Sequence, residues 1–175
     1  MYSQGQVPLV LHYYMFKSMV YNLGTDEQRK QWMDDINHLR IHGAYCQTEL
    51  GHGTNVQGVE TTATLDKATD EIILHTPNIK ATKFWPGELG LHANCPIVVA
   101  KLIVDGKDLG IQTFMARIRD HDHRPLPGIS VGDVGPKFGY AMKDNGYLAF
   151  DNFRIPRTNM LMRYANLSPD GKLTL

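Results

Sequence analysis

The sequence predicts an α+β fold: N-terminal helices followed by an antiparallel β-barrel or sandwich. Three observations carry this prediction. Apolar residues recur at spacings of three and four up to about residue 40, the repeat of one helix face. From His42 onward the repeat shortens to two, the mark of a half-buried strand. Turn signals built from Gly, Pro, Asp and Asn then return roughly every dozen residues, as in compact all-β units of roughly five to eight short strands.

The first helix spans Leu9 to Tyr21, with Leu9, Tyr13, Phe16 and Val20 along one stripe. Asn22-Leu23-Gly24 stops it, with Gly24 available for a left-handed cap. Thr25 and Gln28 then form a capping box that opens a second helix running to about Ile36. Neither helix buries its stripe alone, so the segment reads as the end of a larger helical domain. Val59, Thr61, Ala63 and Leu65 alternate with polar neighbours and define a strand. A polar turn over Asp66–Asp70 returns the chain along Glu71–Thr76 as a hairpin. Pro96–Val104 is a strongly apolar strand and Ile111–Ile118 another. Pro125, Pro127 and Gly128 break the chain into a loop. Asp144-Asn145-Gly146 turns into a last strand, Tyr147–Ile155, stopped by Pro156. The tail after Asn166 reads as a linker.

Hydrophobic residues make up 42% of the chain and charged residues 21%, values of a globular protein. Eighteen basic residues balance eighteen acidic ones, which argues against electrostatic capture of nucleic acid or an anionic membrane. Cys46 and Cys95 lie far apart with no CxxC spacing, so they read as buried, reduced thiols of an intracellular protein and not as a zinc site. No apolar run is long enough to span a membrane. Met1–Gln6 lacks a signal-peptide pattern, and the final Lys172–Leu175 is not a Ser-Lys-Leu address.

The segment Tyr45–Thr54, reading YCQTELGHGT, runs from a strand into a turn where Gly alternates with polar residues. Such a loop offers backbone N–H groups and small hydroxyls to a ligand, because Gly lets the main chain approach closely. It contains no GxGxxG pattern, and the chain has no P-loop and no GxSxG elbow. Asp120-His121-Asp122-His123 alternates metal-ligating side chains but lacks a remote third ligand, and is read as a solvated loop. Glu49 stands alone beside the Gly-rich turn and is read as structural.

Taken together, GAYCQTELGHGTNVQGVETTATLD (43–66), KFWPGELG (83–90), RPLPGISVGDVGPKFGY (124–140), DNGYLAFDNFRIPR (144–157) and NMLMRYANLSPDG (159–171) resemble the peroxisomal acyl-CoA oxidases. The resemblance extends from about Leu11 to Lys172 and covers the middle domain of the acyl-CoA dehydrogenase and oxidase superfamily. It implies residues 1–41 as the end of an N-terminal helical domain and 42–160 as a β-barrel that binds FAD and acyl-CoA. Residues 161–175 become a linker toward a C-terminal helical bundle that this chain lacks. The implied reaction converts acyl-CoA and O2 to trans-2-enoyl-CoA and H2O2 in fatty-acid β-oxidation, in the peroxisome and in a homodimer. Family contacts to FAD map onto Thr48 and Gly87, and a substrate contact to the thioester arm maps onto Thr54. The family's catalytic Glu belongs to the missing bundle, so no catalytic residue is assigned and no metal is expected.

One departure from the family pattern bears on function. The oxidases read Trp-Trp-Pro-Gly-Gly-Leu-Gly-Lys where this chain has Phe84-Trp85-Pro86-Gly87-Glu88-Leu89-Gly90-Leu91. Glu88 is expected to place a carboxylate beside the flavin edge and disfavour the anionic reduced flavin, and Leu91 to remove a positive charge nearby. With the missing base, this favours an alternative reading, a naturally short, non-catalytic binding module.

Overall fold

The computed structural model describes residues 9–175, so the signal-peptide reading of Met1–Gln6 lies outside the described residues. The first helix opens with a π turn, His12–Phe16, and continues as α1, Lys17–Leu23. Gly24 ends it, but in extended backbone (φ −80°) and not in the expected left-handed cap. Its lack of a side chain is still required, since a Cβ there would sit 2.6 Å from the Val20 carbonyl oxygen. Helix α2, Asp26–Asn37, starts with the predicted capping box: Thr25 Oγ1 accepts from the Gln28 N–H, and Gln28 Oε1 accepts from the Thr25 N–H.

Eleven strands follow: β1 (Tyr45–Cys46), β2 (Thr62–Asp66), β3 (Glu71–His75), β4 (Lys83–Phe84), β5 (Ile97–Val104), β6 (Lys107–Met115), β7 (Ile129–Asp133), β8 (Gly146–Phe150), β9 (Phe153–Pro156), β10 (Asn166–Leu167) and β11 (Leu173–Thr174). Strand β5 organises the larger sheet. It pairs antiparallel with β6 on one edge, while β1 and then β2 run parallel to it on the other. The architecture is therefore mostly, not wholly, antiparallel. The Gly-rich loop after β1 detours and rejoins the same edge in the same direction. β3 and β9 extend this sheet, and β4, β8 and β7 form a second, antiparallel one.

Two cores explain the patterns. Ala63, Leu65, Ile72 and Leu74 of the large sheet pack with Leu148 and Phe150 of the small one. On the opposite face, Phe16, Val20, Trp32 and Ile36 of the helices pack on Ile97 and Met115. β5 is thus buried on both faces, which is why its sequence is an almost unbroken apolar run.

The expected single strand 147–155 is two strands. Asn152 takes a left-handed backbone (φ 49°) after Asp151, and this turn carries the chain from the small sheet to the large one. The tail after Asn166 folds as the β10–β11 hairpin, with Leu167 fully buried in the inter-sheet core. No described helix is long and apolar enough to cross a membrane.

Candidate functional site

The two motifs singled out in the sequence are neighbours in space. Thr48 C=O accepts from the Phe84 N–H at 3.0 Å and Thr82 C=O from the Leu50 N–H at 2.9 Å, so the Gln47–Leu50 segment runs antiparallel to the chain entering β4. Beyond β4, Trp85 (φ 64°) turns the chain sharply. The turn is fixed by Asn145, which donates to the Trp85 carbonyl, and by the Gly146 N–H, which donates to that of Pro86. Thr48 and Gly87 consequently line one cavity of about 240 Å³ together with Leu11, Met15, Tyr45, Gln47, Trp85 and Pro86. A second cavity of about 690 Å³ shares Leu11, Trp85 and Gly87 and adds Lys137, Tyr140 and Lys143. Thr54 lies apart, exposed on the loop after Gly53, and lines neither cavity.

Glu49 is fully buried and occupied. Its carboxylate accepts from the Glu60 and Thr61 N–H groups, the Thr61 hydroxyl and Lys83 Nζ, all within 2.9 Å. Lys83, itself fully buried, also donates to the Gln47 and Val99 carbonyls. Burial pushes the Glu49 pKa up, but Lys83 and the hydrogen bonds outweigh it and hold the group below the ordinary carboxylate value. An ionised carboxylate with four donors is a strut and a poor base.

Glu88 is the main correction to the sequence reading. Its side chain does not face the cleft as a free charge; it is wholly buried beneath it. It accepts from the Leu11 N–H at 3.0 Å, the His12 N–H at 2.9 Å and Lys143 Nζ at 2.5 Å, with His42 Nε2 at 3.3 Å. Burial raises its pKa, yet His42, Lys143 and the Leu11 N–H together lower it below the ordinary range. The charge is compensated inside the protein, so the expected repulsion of a reduced flavin has no basis. Residue type conceals this turn, because Glu88 adopts a left-handed backbone (φ 68°) that a Glu rarely takes.

Two histidines escaped the sequence reading. His12 is fully buried, and its Nδ1 accepts from the Gly43 N–H at 3.1 Å, which leaves Nε2–H to donate to the Ile36 carbonyl. Burial lowers its pKa below 6.5 and keeps it neutral. His42 stacks edge-on against it at 5.1 Å. The signal that could have found His12 is its spacing of four from Phe16 on the buried stripe. Among the described residues, no group of three or more His, Cys, Asp or Glu side chains could hold a metal, and His121 and Asp122 are exposed. Cys46 and Cys95 are buried free thiols whose pKa burial pushes up to about 12.

A helical segment packed on a β-domain, with a cleft between a QTE loop and a WPG turn, is an arrangement of the acyl-CoA dehydrogenase and oxidase type. Comparison with known proteins makes this specific. Residues 2–42 match the acyl-coenzyme A oxidase N-terminal family. The chain is 52% identical over 165 residues to peroxisomal acyl-coenzyme A oxidase 1 of Rattus norvegicus, covering 94% of this chain and 25% of that protein. It superposes on acyl-CoA oxidase-1 of Caenorhabditis elegans, solved with FAD and ATP, at TM-score 0.94 and 48% identity, over 98% of this chain and 26% of that one. Acyl-CoA oxidase 1 of Arabidopsis thaliana matches at TM-score 0.95 and 48% identity, over 97% of this chain and 26% of that one. The chain is homologous to the acyl-CoA oxidases over 94% of its own length, and it spans about a quarter of the length of the curated relatives it matches.

Proposed function

We propose that this chain is the central β-domain, with the end of the helical domain before it, of a peroxisomal FAD-dependent acyl-CoA oxidase. The whole protein would convert acyl-CoA and O2 to trans-2-enoyl-CoA and H2O2 in fatty-acid β-oxidation, as a homodimer. In this reading residues 1–41 end the helical domain, 42–160 form the FAD- and acyl-CoA-binding domain and 161–175 lead toward a further helical domain.

The observation that carries the reading is that Thr48 and Gly87, from separate motifs, line the same cavity. The residues present suit a flavin edge. The Thr48 hydroxyl, the Gln47 carboxamide and open backbone at Gly87 offer polar partners, while Met15 and Trp85 offer apolar walls. When bound, FAD supplies the acceptor for the hydride that leaves the β-carbon of the acyl-CoA. This chain's own contribution is to bind and orient: Thr48 and Gly87 hold the ring edge, and Trp85 shields it from water. Thr54, on its exposed loop, is assigned to the thioester arm on family resemblance. Neither Glu49 nor Glu88 takes the proton from the α-carbon, since both are buried and have their oxygens occupied by four donors each.

Titration with FAD, followed by flavin fluorescence, tests the reading. Gly87→Leu should weaken binding by about tenfold or more, because a side chain at that position meets Leu11 and Lys143 and crowds the cleft. Unchanged affinity would sink the Gly87 assignment.

A further inference from the structure

Leu11 occupies an unusual position between the two cavities. It lines both of them, and its Cδ1 lies 2.7 Å from where a Cβ on Gly87 would stand. Its side chain therefore fills the space that the glycine leaves open, and its placement sets how the two cavities are divided. What places it is the backbone of the first helical turn. Among the described residues, the first hydrogen bond within the helix runs from the Tyr13 N–H to the Leu9 carbonyl, just beyond the Leu11 and His12 N–H groups. Such leading amides need partners from outside the helix.

Both receive them from one side chain, Glu88, one oxygen to each. That side chain grows from the residue next to Gly87, so one dipeptide supplies the seat for Leu11 and the clamp behind it. Glu88 also keeps a backbone conformation (φ 68°) that side chains rarely adopt, and Trp85, three residues before, does the same (φ 64°). Conformations of this kind persist where the surroundings over-determine them, and they cluster at ligand clamps. Lys143, which donates to Glu88, is itself on the wall of the larger cavity.

We propose that Glu88 is a positioning residue for the cleft: its buried carboxylate fixes the first helical turn and thereby holds Leu11 against Gly87 as the partition between the two cavities. The proposal rests on the reading of the cleft as a cofactor site, and it names the device that shapes the site in this chain. Glu88 touches no ligand; it acts through Leu11.

Two readouts on the full chain test it together: amide exchange at Leu11 and His12, and FAD affinity by flavin fluorescence. Glu88→Gly, which also relaxes the backbone, should speed exchange at both amides by about tenfold or more, as for lost hydrogen bonds to a charged group, and should weaken FAD. Glu88→Gln keeps the size without the charge and should fall between the two, which guards against a fold failure in the glycine variant. Leu11→Ala should weaken FAD while leaving the two amides protected. The double variant should bind FAD no worse than the weaker single one, because both changes act through one side chain. Additive losses, or unchanged exchange in Glu88→Gly, overturn the proposal. If the unaltered chain takes up no FAD, the cofactor reading fails, and the clamp is then judged by exchange at Leu11 and His12 alone.

Discussion

Two buried carboxylates, Glu49 and Glu88, share most of their kinds of partner and do different work. Each is fully buried, and each accepts from two consecutive backbone N–H groups and from a nearly inaccessible lysine. Glu49 joins pieces of one domain, the QTE loop to the start of β2 and to Lys83 of β4. Glu88 reaches across more than seventy residues of sequence to the first helix. Glu49 sits in a regular bridge, whereas Glu88 stands in left-handed backbone. The difference teaches that one donor set can either build a domain or attach a neighbour to it, and that strain marks the second case.

The largest expected effect breaks the Glu49 side of the pair. Glu49→Ala leaves Lys83 fully buried and short of its carboxylate, and should cost about 3–5 kcal/mol of unfolding free energy. Denaturant midpoints measure it; a loss near zero would mean that Lys83 is neutral or finds water. Gly43→Ala comes next and probes the helix junction itself. A Cβ there would lie 2.2 Å from the Phe16 ring, which is fully buried and cannot swing aside, so about 1–3 kcal/mol should be lost. Glu88→Gly should cost less than Glu49→Ala, about 1–2 kcal/mol. Glycine relieves the left-handed backbone, and Lys143, though nearly inaccessible, lies on a cavity wall while Lys83 does not. Equal losses for the two carboxylates would erase the distinction drawn between them.

The same contrast describes what the sequence discloses. Elements with a periodic pattern were legible: the helix stripe through Phe16 and Val20, the Thr25–Gln28 capping box, the alternation in β2 and the doubly buried run of β5. Thr48 and Gly87 were singled out through family resemblance and not through spacing, and they line one cavity. What stayed hidden depends on long-range partners. A lysine at position 83 gives no hint that it is buried until Glu49 and two carbonyls are seen around it. Glu88 looked like a charge at the cleft because its inward turn requires a backbone conformation that residue type argues against. The break between β8 and β9 was concealed likewise, since Asp151-Asn152 interrupts an otherwise strand-like run by one left-handed residue.

The smallest expected effect separates the two regions by pH. Glu49 and Glu88 have folded pKa values below the ordinary 4.5, so their stabilisation is complete above that value and is lost as pH falls through the lower folded value. His12 is a base whose folded pKa lies below 6.5, so the unfolded chain takes up a proton first. Its cost therefore begins as pH falls below 6.5, well before any carboxylate is touched. A proton forced onto Nδ1 would also face the Gly43 N–H, which already points at it. Acidification from neutral pH toward 5 should thus loosen the helix junction while the β-domain around Glu49 stays intact. Amide exchange at Gly43 should quicken over that range, and exchange at Thr61, bound to Glu49, should not. His12→Gln should flatten the upper part of the profile and leave the carboxylate limb in place. If Gly43 and Thr61 loosen together, the junction and the domain unfold as one unit, and the division of labour between the two carboxylates is lost with it.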